Sequence, residues 1–268
     1  FSLEDVSFAL PSGSIMGLVG QNGAGKSTTI RLIMNAAKAD RGTVRVLGCD
    51  NRAPAFCALK NEIGVVLDEA YFPEVLSAAN VSTIMKNTYR EWDEACYCQY
   101  LDRFSLPAKK MFKDFSRGMK MKLAVAVALS HRAKLLILDE ATSGLDPIVR
   151  DEILDIFNEF TRDESHSVLL SSHIVSDLEK ICDYIAFIHN GRLLFCEEKD
   201  KLLEQYGVVR LPRSELAALP ASAVVGKRET PYGIEALVRK TAATRALNPE
   251  RANIEEIILY MAKGGKPH

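Results

Sequence analysis

The most constraining stretch of the chain is an apolar run that ends in glycines and a lysine. Ile15-Met16-Gly17-Leu18-Val19 leads into Gly20-Gln21-Asn22-Gly23-Ala24-Gly25-Lys26-Ser27. The run has the pattern of a fully buried strand. From Lys26 onward, Ile30, Ile33, Met34 and Ala37 fall on one helical face. Strand, G-x-x-x-x-G-K-S/T loop and helix in that order make a phosphate cradle. The glycines let successive backbone N–H groups turn inward, and the helix N-terminus adds its partial positive charge. Lys26 supplies a cation for the β- and γ-phosphates and Ser27 a hydroxyl ligand for Mg²⁺. The candidate binding set is Gly20, Gln21, Asn22, Gly23, Ala24, Gly25, Lys26, Ser27 and the adjoining Thr28, and the implied ligand is a nucleoside triphosphate.

A second apolar run, Leu135-Leu136-Ile137-Leu138, ends in Asp139-Glu140. In an open parallel sheet, ligands bind beyond the carboxyl ends of the strands. Both acids therefore face the crevice that holds the phosphate loop. Asp139 is the candidate Mg²⁺ ligand, and Glu140 the general base that polarises the attacking water.

Between these motifs, strand patterns alternate with helical ones. Thr43–Gly48, Ile63–Leu67, Ser167–Leu170 and Tyr184–Ile188 read as strands; 119–129, Pro147–Thr161 and Ser176–Ile181 read as helices. The alternation predicts an α/β P-loop NTPase with a mostly parallel core sheet flanked by helices. The ATP-binding core is assigned to 1–70 and 116–200. Residues 71–115 interrupt the alternation with a helical pattern over Ser77–Arg103 and are read as a helical subdomain. Residues 201–268 carry no strong motif and are expected to form a small C-terminal extension.

Three further segments, in order, resemble those of ABC ATPases. Phe115-Ser116-Arg117-Gly118-Met119 is similar to the signature loop, Ser143-Gly144-Leu145-Asp146 to the D-loop, and His173 after Ser171-Ser172 to the switch histidine. The resemblance covers roughly residues 1–200. It implies ATP and Mg²⁺ as cofactors, and nucleotide contacts from Ser116, Gly118 and Asp146. It also implies a catalytic trio of Lys26, Glu140 and His173. Ser116 and Gly118 would open a helix whose N-terminus offers a second anion site without a lysine of its own. In the family that loop caps the γ-phosphate held by an opposite subunit, which implies a head-to-tail dimer, most simply of two copies, beneath a separate membrane permease.

Departures from the family pattern matter. Asp68-Glu69 stands where relatives carry glutamine; Asp68 is a candidate metal ligand, and the coupling role is open between Asp68 and Glu69. Arg117 replaces a glycine, with a guanidinium that has reach toward phosphate. The aromatic residue that stacks on adenine is expected about two dozen positions before Gly20, hence upstream of Phe1. Tyr71, Phe72 and Pro73 are candidates for permease contact or for subdomain core. The Tyr89–Trp92 segment and the C-terminal extension look like bacterial systems that export drugs, antibiotics or peptides.

Composition narrows the partners. The 268 residues carry a net charge of −1, so no global field draws the chain to nucleic acid. No apolar run approaches the roughly 20 residues of a membrane span. The resemblance, with its separate permease, implies a position at the cytoplasmic face of the cell membrane. No signal peptide is legible, and a first residue other than Met suggests that the true start lies upstream. The six cysteines lack zinc or redox spacing and are expected to act as small buried hydrophobes. His131, His166, His189 and His268 are read as structural. A rival reading, a non-transport ABC ATPase acting on nucleic acid or ribosomes, lacks the long insertions such proteins show. A second rival, a regulatory module with a dead site, is opposed by the intact Lys26, Asp139, Glu140 and His173.

Overall fold

The computed structural model describes residues 1–217, 219–231 and 233–264, so the expectation for His268 lies outside the described residues. Strand β1 (Ile15–Val19) is buried along its whole length and hands the chain to helix α1 (Lys26–Ile33). A hairpin of β2 (Arg45–Val46) and β3 (Cys49–Asp50) follows. The strand expected over Thr43–Gly48 is thus confined to two residues. Leu47 and Gly48 take φ of 48° and 81°, and that left-handed pair reverses the chain at once. The short α2 (Phe56–Leu59) then leads into β4 (Ile63–Val66).

The helical pattern over Ser77–Arg103 resolves into two helices, α3 (Ala78–Thr88) and α4 (Glu94–Arg103). Ser77 and Asn80 form a capping box at the first, and Asp93 accepts the Cys96 N–H at the second. The break at Tyr89–Trp92 contains no glycine or proline. It is held by side chains instead: Tyr89 stacks on His131 at 3.9 Å, and Trp92 Nε1 lies 3.2 Å from Ser82 Oγ. His131 is buried, which lowers its pKa.

The chain continues through α5 (Arg117–Leu129), β5 (Leu135–Asp139), α6 (Pro147–Phe160), β6 (Ser167–Ser172), α7 (Val175–Ile181), β7 (Tyr184–His189) and β8 (Arg192–Glu198). Six strands form one sheet in the order β4-β5-β6-β1-β7-β8. All neighbours are parallel except β7 and β8. The central strands β5, β6 and β1 are buried at every position, as strands covered on both faces must be. Beside β8 the chain's first residues run close: Glu4 N–H donates to Gly191 O at 2.8 Å, and Arg192 pairs with the Glu4 carboxylate at 2.5 Å.

Past residue 198 the sequence pattern was weak, yet the structure is regular. α8 (Lys199–Gln205), β9 (Tyr206–Leu211), α9 (Arg213–Ala217), β10 (Val224–Thr230), β11 (Gly233–Arg239), β12 (Glu250–Arg251) and α10 (Ile254–Gly264) follow in turn. The four strands make an antiparallel sheet in the order β10-β11-β9-β12, against which α10 buries Ile257 and Tyr260. Glu235 on β11 is buried and receives Arg210 Nε at 2.9 Å, Arg228 at 2.8 Å and the Tyr260 hydroxyl at 2.5 Å. The Ile254 N–H donates to Glu179 Oε1 of α7 at 2.6 Å, tying this sheet to the core.

The cysteine expectation needs correction. Cys182 is fully buried, and burial pushes its thiol far up. Cys57 and Cys98 are exposed, and Cys49, Cys96 and Cys196 are half-buried. Cys49 opens β3, Cys57, Cys96 and Cys98 sit on helices, and Cys196 lies within β8, places where a small apolar side chain is tolerated without full enclosure.

Candidate functional site

Three adjacent parallel strands deliver the chemistry to one edge. β1 ends at the phosphate loop, β5 at Asp139-Glu140, and β6 at Ser172-His173, and the three lie side by side in the order β5-β6-β1. A cavity of about 580 Å³ opens there. Asn22, Gly23, Gly25, Lys26, Ser27 and Thr28 line it, together with Asp68, Glu140 and His173. Of the remaining residues singled out in the sequence, Gly20, Gln21 and Ala24 shape the loop without lining the cavity. Gly20 cannot be replaced: a Cβ there would stand 2.4 Å from the Ile188 carbonyl oxygen of β7.

Lys26 is buried at 5% exposure and donates to the Gly20 carbonyl at 2.7 Å. Its Nζ also lies 3.0 Å from Glu140 Oε1, while Glu140 Oε2 pairs with His173 Nδ1 at 2.6 Å. The Lys26 approach is an ion pair rather than an aligned hydrogen bond, so Oε1 is buried without a hydrogen-bond partner. Glu140 adopts φ 54°, a left-handed conformation that a non-glycine residue occupies at some cost. That turn points the carboxylate back over the sheet edge. Asp139 is buried, and Ser171 Oγ donates to its Oδ1 at 2.5 Å.

Asp68 lines the cavity, and its Oδ1 accepts the Glu69 N–H at 3.0 Å. Glu69 instead sits by Tyr71 and raises its phenol pKa by charge repulsion, with Asp68 adding to the effect. Of the two residues the sequence left open, Asp68 is the one on the cavity.

The other family-derived residues lie outside the lining. Ser116 N-caps α5, its Oγ accepting the Met119 N–H at 3.3 Å. Gly118 leaves room for Val149, which would stand 3.5 Å from a Cβ there. Asp146 is engaged as the N-cap of α6, accepting the Val149 N–H at 3.0 Å. Asp146 therefore serves a helix end in this chain. Phe1, Arg117 and Ser143 line the cavity without having been in the candidate set. Arg117 carried a signal, its charge and length; Ser143 had only its place in the D-loop match.

Behind the D-loop, Asp177 is buried with one carboxylate oxygen unpaired, and desolvation raises its pKa. Arg150 stands 3.9 Å away. No helix among the described residues is long and apolar enough to cross a membrane.

Comparison with known proteins agrees with this geometry. The ABC transporter family model matches residues 3–143. The chain is 32% identical over 200 residues to the lantibiotic transport ATP-binding protein SrtF of Streptococcus pyogenes, covering 74% of this chain and 85% of that protein. It is 32% identical over 194 residues to the bacitracin transport ATP-binding protein BcrA of Enterococcus faecalis, covering 72% of this chain but 63% of that one. A solved ATP-binding subunit of an ABC transporter superposes with a TM-score of 0.68 at 30% identity, over 75% of this chain and 85% of the other. With the phosphate loop, Glu140 and His173 converging on one cavity, the chain belongs to the ABC transporter family, as an ATP-binding subunit that hydrolyses ATP.

Proposed function

We propose that this subunit drives export through a separate membrane permease by ATP-dependent closure of a dimer at the cytoplasmic face of the membrane. The observation that carries the reading is the division of the anion-binding parts. Lys26, Glu140 and His173 share one cavity, whereas Ser116 and Gly118 at the start of α5 lie outside its lining and only the Arg117 side chain borders it. A helix N-terminus with no lysine of its own is half of a site; a second subunit supplies the other half. ATP then binds the closed dimer better than the open one, and loss of the γ-phosphate reopens it.

Within one cavity the roles follow from position. Lys26 must leave Glu140 to meet the phosphates, which frees the carboxylate to take a proton from water. His173, held by Glu140 at 2.6 Å, orients that carboxylate and reaches the γ-phosphate side. Ser27 and Asp68 line the cavity and Asp139 lies just beneath. These are oxygen donors only, and no trio of His, Cys, Asp or Glu gathers into a full cage among the described residues. That donor set fits Mg²⁺, which keeps waters and substrate oxygens in its shell and neutralises charge developing on the phosphates.

Export is supported by the relatives named for lantibiotic and bacitracin transport. Docking to a permease is supported by exposed apolar side chains beside the helical stretch: Tyr71, Val75, Ile84 and Met111. Phe72 turns inward, edge-on to Phe112 at 5.5 Å, so it belongs to the core. The test is Mg²⁺-dependent ATP hydrolysis against protein concentration. Specific activity should rise with concentration; a flat profile from monomer upward would sink the two-subunit reading.

A further inference from the structure

Five buried side-chain atoms among the described residues have no hydrogen-bond partner, and three of them meet behind the D-loop: Thr142 Oγ1, Arg150 Nε and Asp177 Oδ2. A fourth is Glu140 Oε1. Thr142 follows Glu140 by two positions. Arg150 stands in the first turn of α6, and Asp177 in the first turn of α7, four residues past His173. Thr142 and Asp177 are 0% and 4% exposed. Buried polar groups left unpaired cost stability, and folds hold few of them. Their gathering on the two loops that carry Glu140 and His173 calls for a reason in the reaction.

The contacts that do exist show what the cluster joins. Arg150 Nη2 donates to the Leu145 carbonyl at 3.3 Å, so the guanidinium grips the D-loop backbone. Its Nη1 stands 3.9 Å from Asp177 Oδ1, at the outer limit of an ion pair. The Asp177 N–H donates to Ile174 O at 3.2 Å, closing the turn between His173 and α7. Two further side chains anchor α7: Lys180 pairs with Asp151 of α6, and Glu179 accepts the Ile254 N–H. The D-loop itself reaches the cavity at Ser143, whose N–H donates to Glu140 O at 3.0 Å. At the next position the Arg117 guanidinium lies against Gly144, where a Cβ would stand 2.9 Å from its Cζ.

We propose that Asp177 is a positioning residue of the hydrolytic site: it holds Arg150, and through Arg150 the D-loop backbone, against the turn that carries His173. Glu140 and His173, which arrive from different strands, are thereby kept in register. Asp177 does not line the cavity and acts only through its neighbours. Attraction between opposite charges is strong where water is excluded, so a neutral side chain of the same shape does not replace it. The assignment rests on Glu140 and His173 being the hydrolytic pair proposed above, and the experiment separates the two.

Steady-state hydrolysis, Mg-ATP affinity and melting temperature are measured at one protein concentration for the wild type, Asp177→Asn, Arg150→Gln, the double variant and Glu140→Gln. Asp177→Asn keeps the shape and removes the charge. Its kcat should fall about 10-fold or more, as misplaced reacting groups cause, with KM and Mg-ATP affinity unchanged. Its melting temperature should hold or rise, because an incompletely paired buried charge is gone. Arg150→Gln should show the same split, and the double variant should be no slower than either single one, since the two residues act as a unit. A lowered melting temperature with normal kcat makes Asp177 part of the fold only and overturns the proposal. So does a loss of Mg-ATP affinity that matches the loss in kcat, or single losses that multiply in the double variant. Should Asp177→Asn not fold, Arg150→Gln decides alone: the Arg150 side chain is 27% exposed and tolerates the change, and a normal kcat there overturns the proposal. Full hydrolysis by Glu140→Gln would remove the hydrolytic pair itself. An inactive Glu140→Gln beside a normal Asp177→Asn overturns this assignment alone.

Discussion

Glu140 Oε1 stands 3.0 Å from Lys26 Nζ, so the candidate general base and the phosphate-loop lysine are paired with one another. Binding of a triphosphate is therefore an exchange of partners for Lys26. Replacing Glu140 by glutamine removes both the competitor and the base. Hydrolysis should fall about 10²-fold or more, while Mg-ATP binds at least as tightly as to the wild type. Single-turnover hydrolysis and equilibrium binding on the same preparation check both halves.

Lys26→Ala should abolish nucleotide binding and also leave Glu140 with His173 alone. Equilibrium titration of the two proteins with Mg-ATP reads the loss of binding, and their melting temperatures read the cost of the lost ion pair.

His173 holds Glu140 Oε2 at 2.6 Å, so His173→Ala should release the carboxylate from its orientation. The expected result is a loss in kcat with little change in KM for ATP. An equal rise in KM would assign His173 to binding.

Tyr71 and Val75 are 71% and 72% exposed, whereas Phe72 packs inward. Tyr71→Ala combined with Val75→Ser should uncouple transport in vesicles carrying the permease, with ATP hydrolysis by the isolated subunit unchanged. Loss of both activities together would place these side chains in the fold.

Glu235 offers a test of the C-terminal sheet. The Tyr260 hydroxyl, foremost, and Arg210 and Arg228 hold its carboxyl below the ordinary value of 4.5, and the Tyr260 phenol is pushed up to about 12, by burial first and Glu235 second. A lowered folded-state value means stability present above the ordinary carboxylate range and lost as pH falls through it. Urea unfolding at neutral and acid pH should show that loss, and Glu235→Gln should flatten it. Glu235→Ala should cost about 1–3 kcal/mol at neutral pH, because Tyr260 and both arginines lose their acceptor.

The legible parts of this molecule were those whose chemistry is local. The apolar runs of β1, β5 and β6 declare burial on both faces, and the phosphate loop and Asp139-Glu140 sit at their ends by the rules of parallel sheets. Asp68 was singled out by position, and it lines the cavity whereas Glu69 does not. What stayed hidden depends on distant partners. The helix break at Tyr89–Trp92 rests on His131 and Ser82, not on a breaker residue. The sheet β9–β12 was not visible because its strands are short or carry mixed charge, as in Val224–Thr230. Its buried Glu235 makes sense only beside Arg210, Arg228 and Tyr260. The place of Arg117 required Gly144, 27 positions further on, to be laid next to it.

The antiparallel strand β8 has a consequence for how copies of this protein meet. It closes one margin of the six-stranded sheet with charged ends, Arg192 at one and Glu197-Glu198 at the other, and Glu4 bridges to Arg192 along its flank. A margin charged and occupied in this way offers little template for another chain's strand. Association at that side by strand addition, which is slow to reverse, is disfavoured. At that side any contact between copies is left to loops and helix ends, a kind of joint that forms and parts readily.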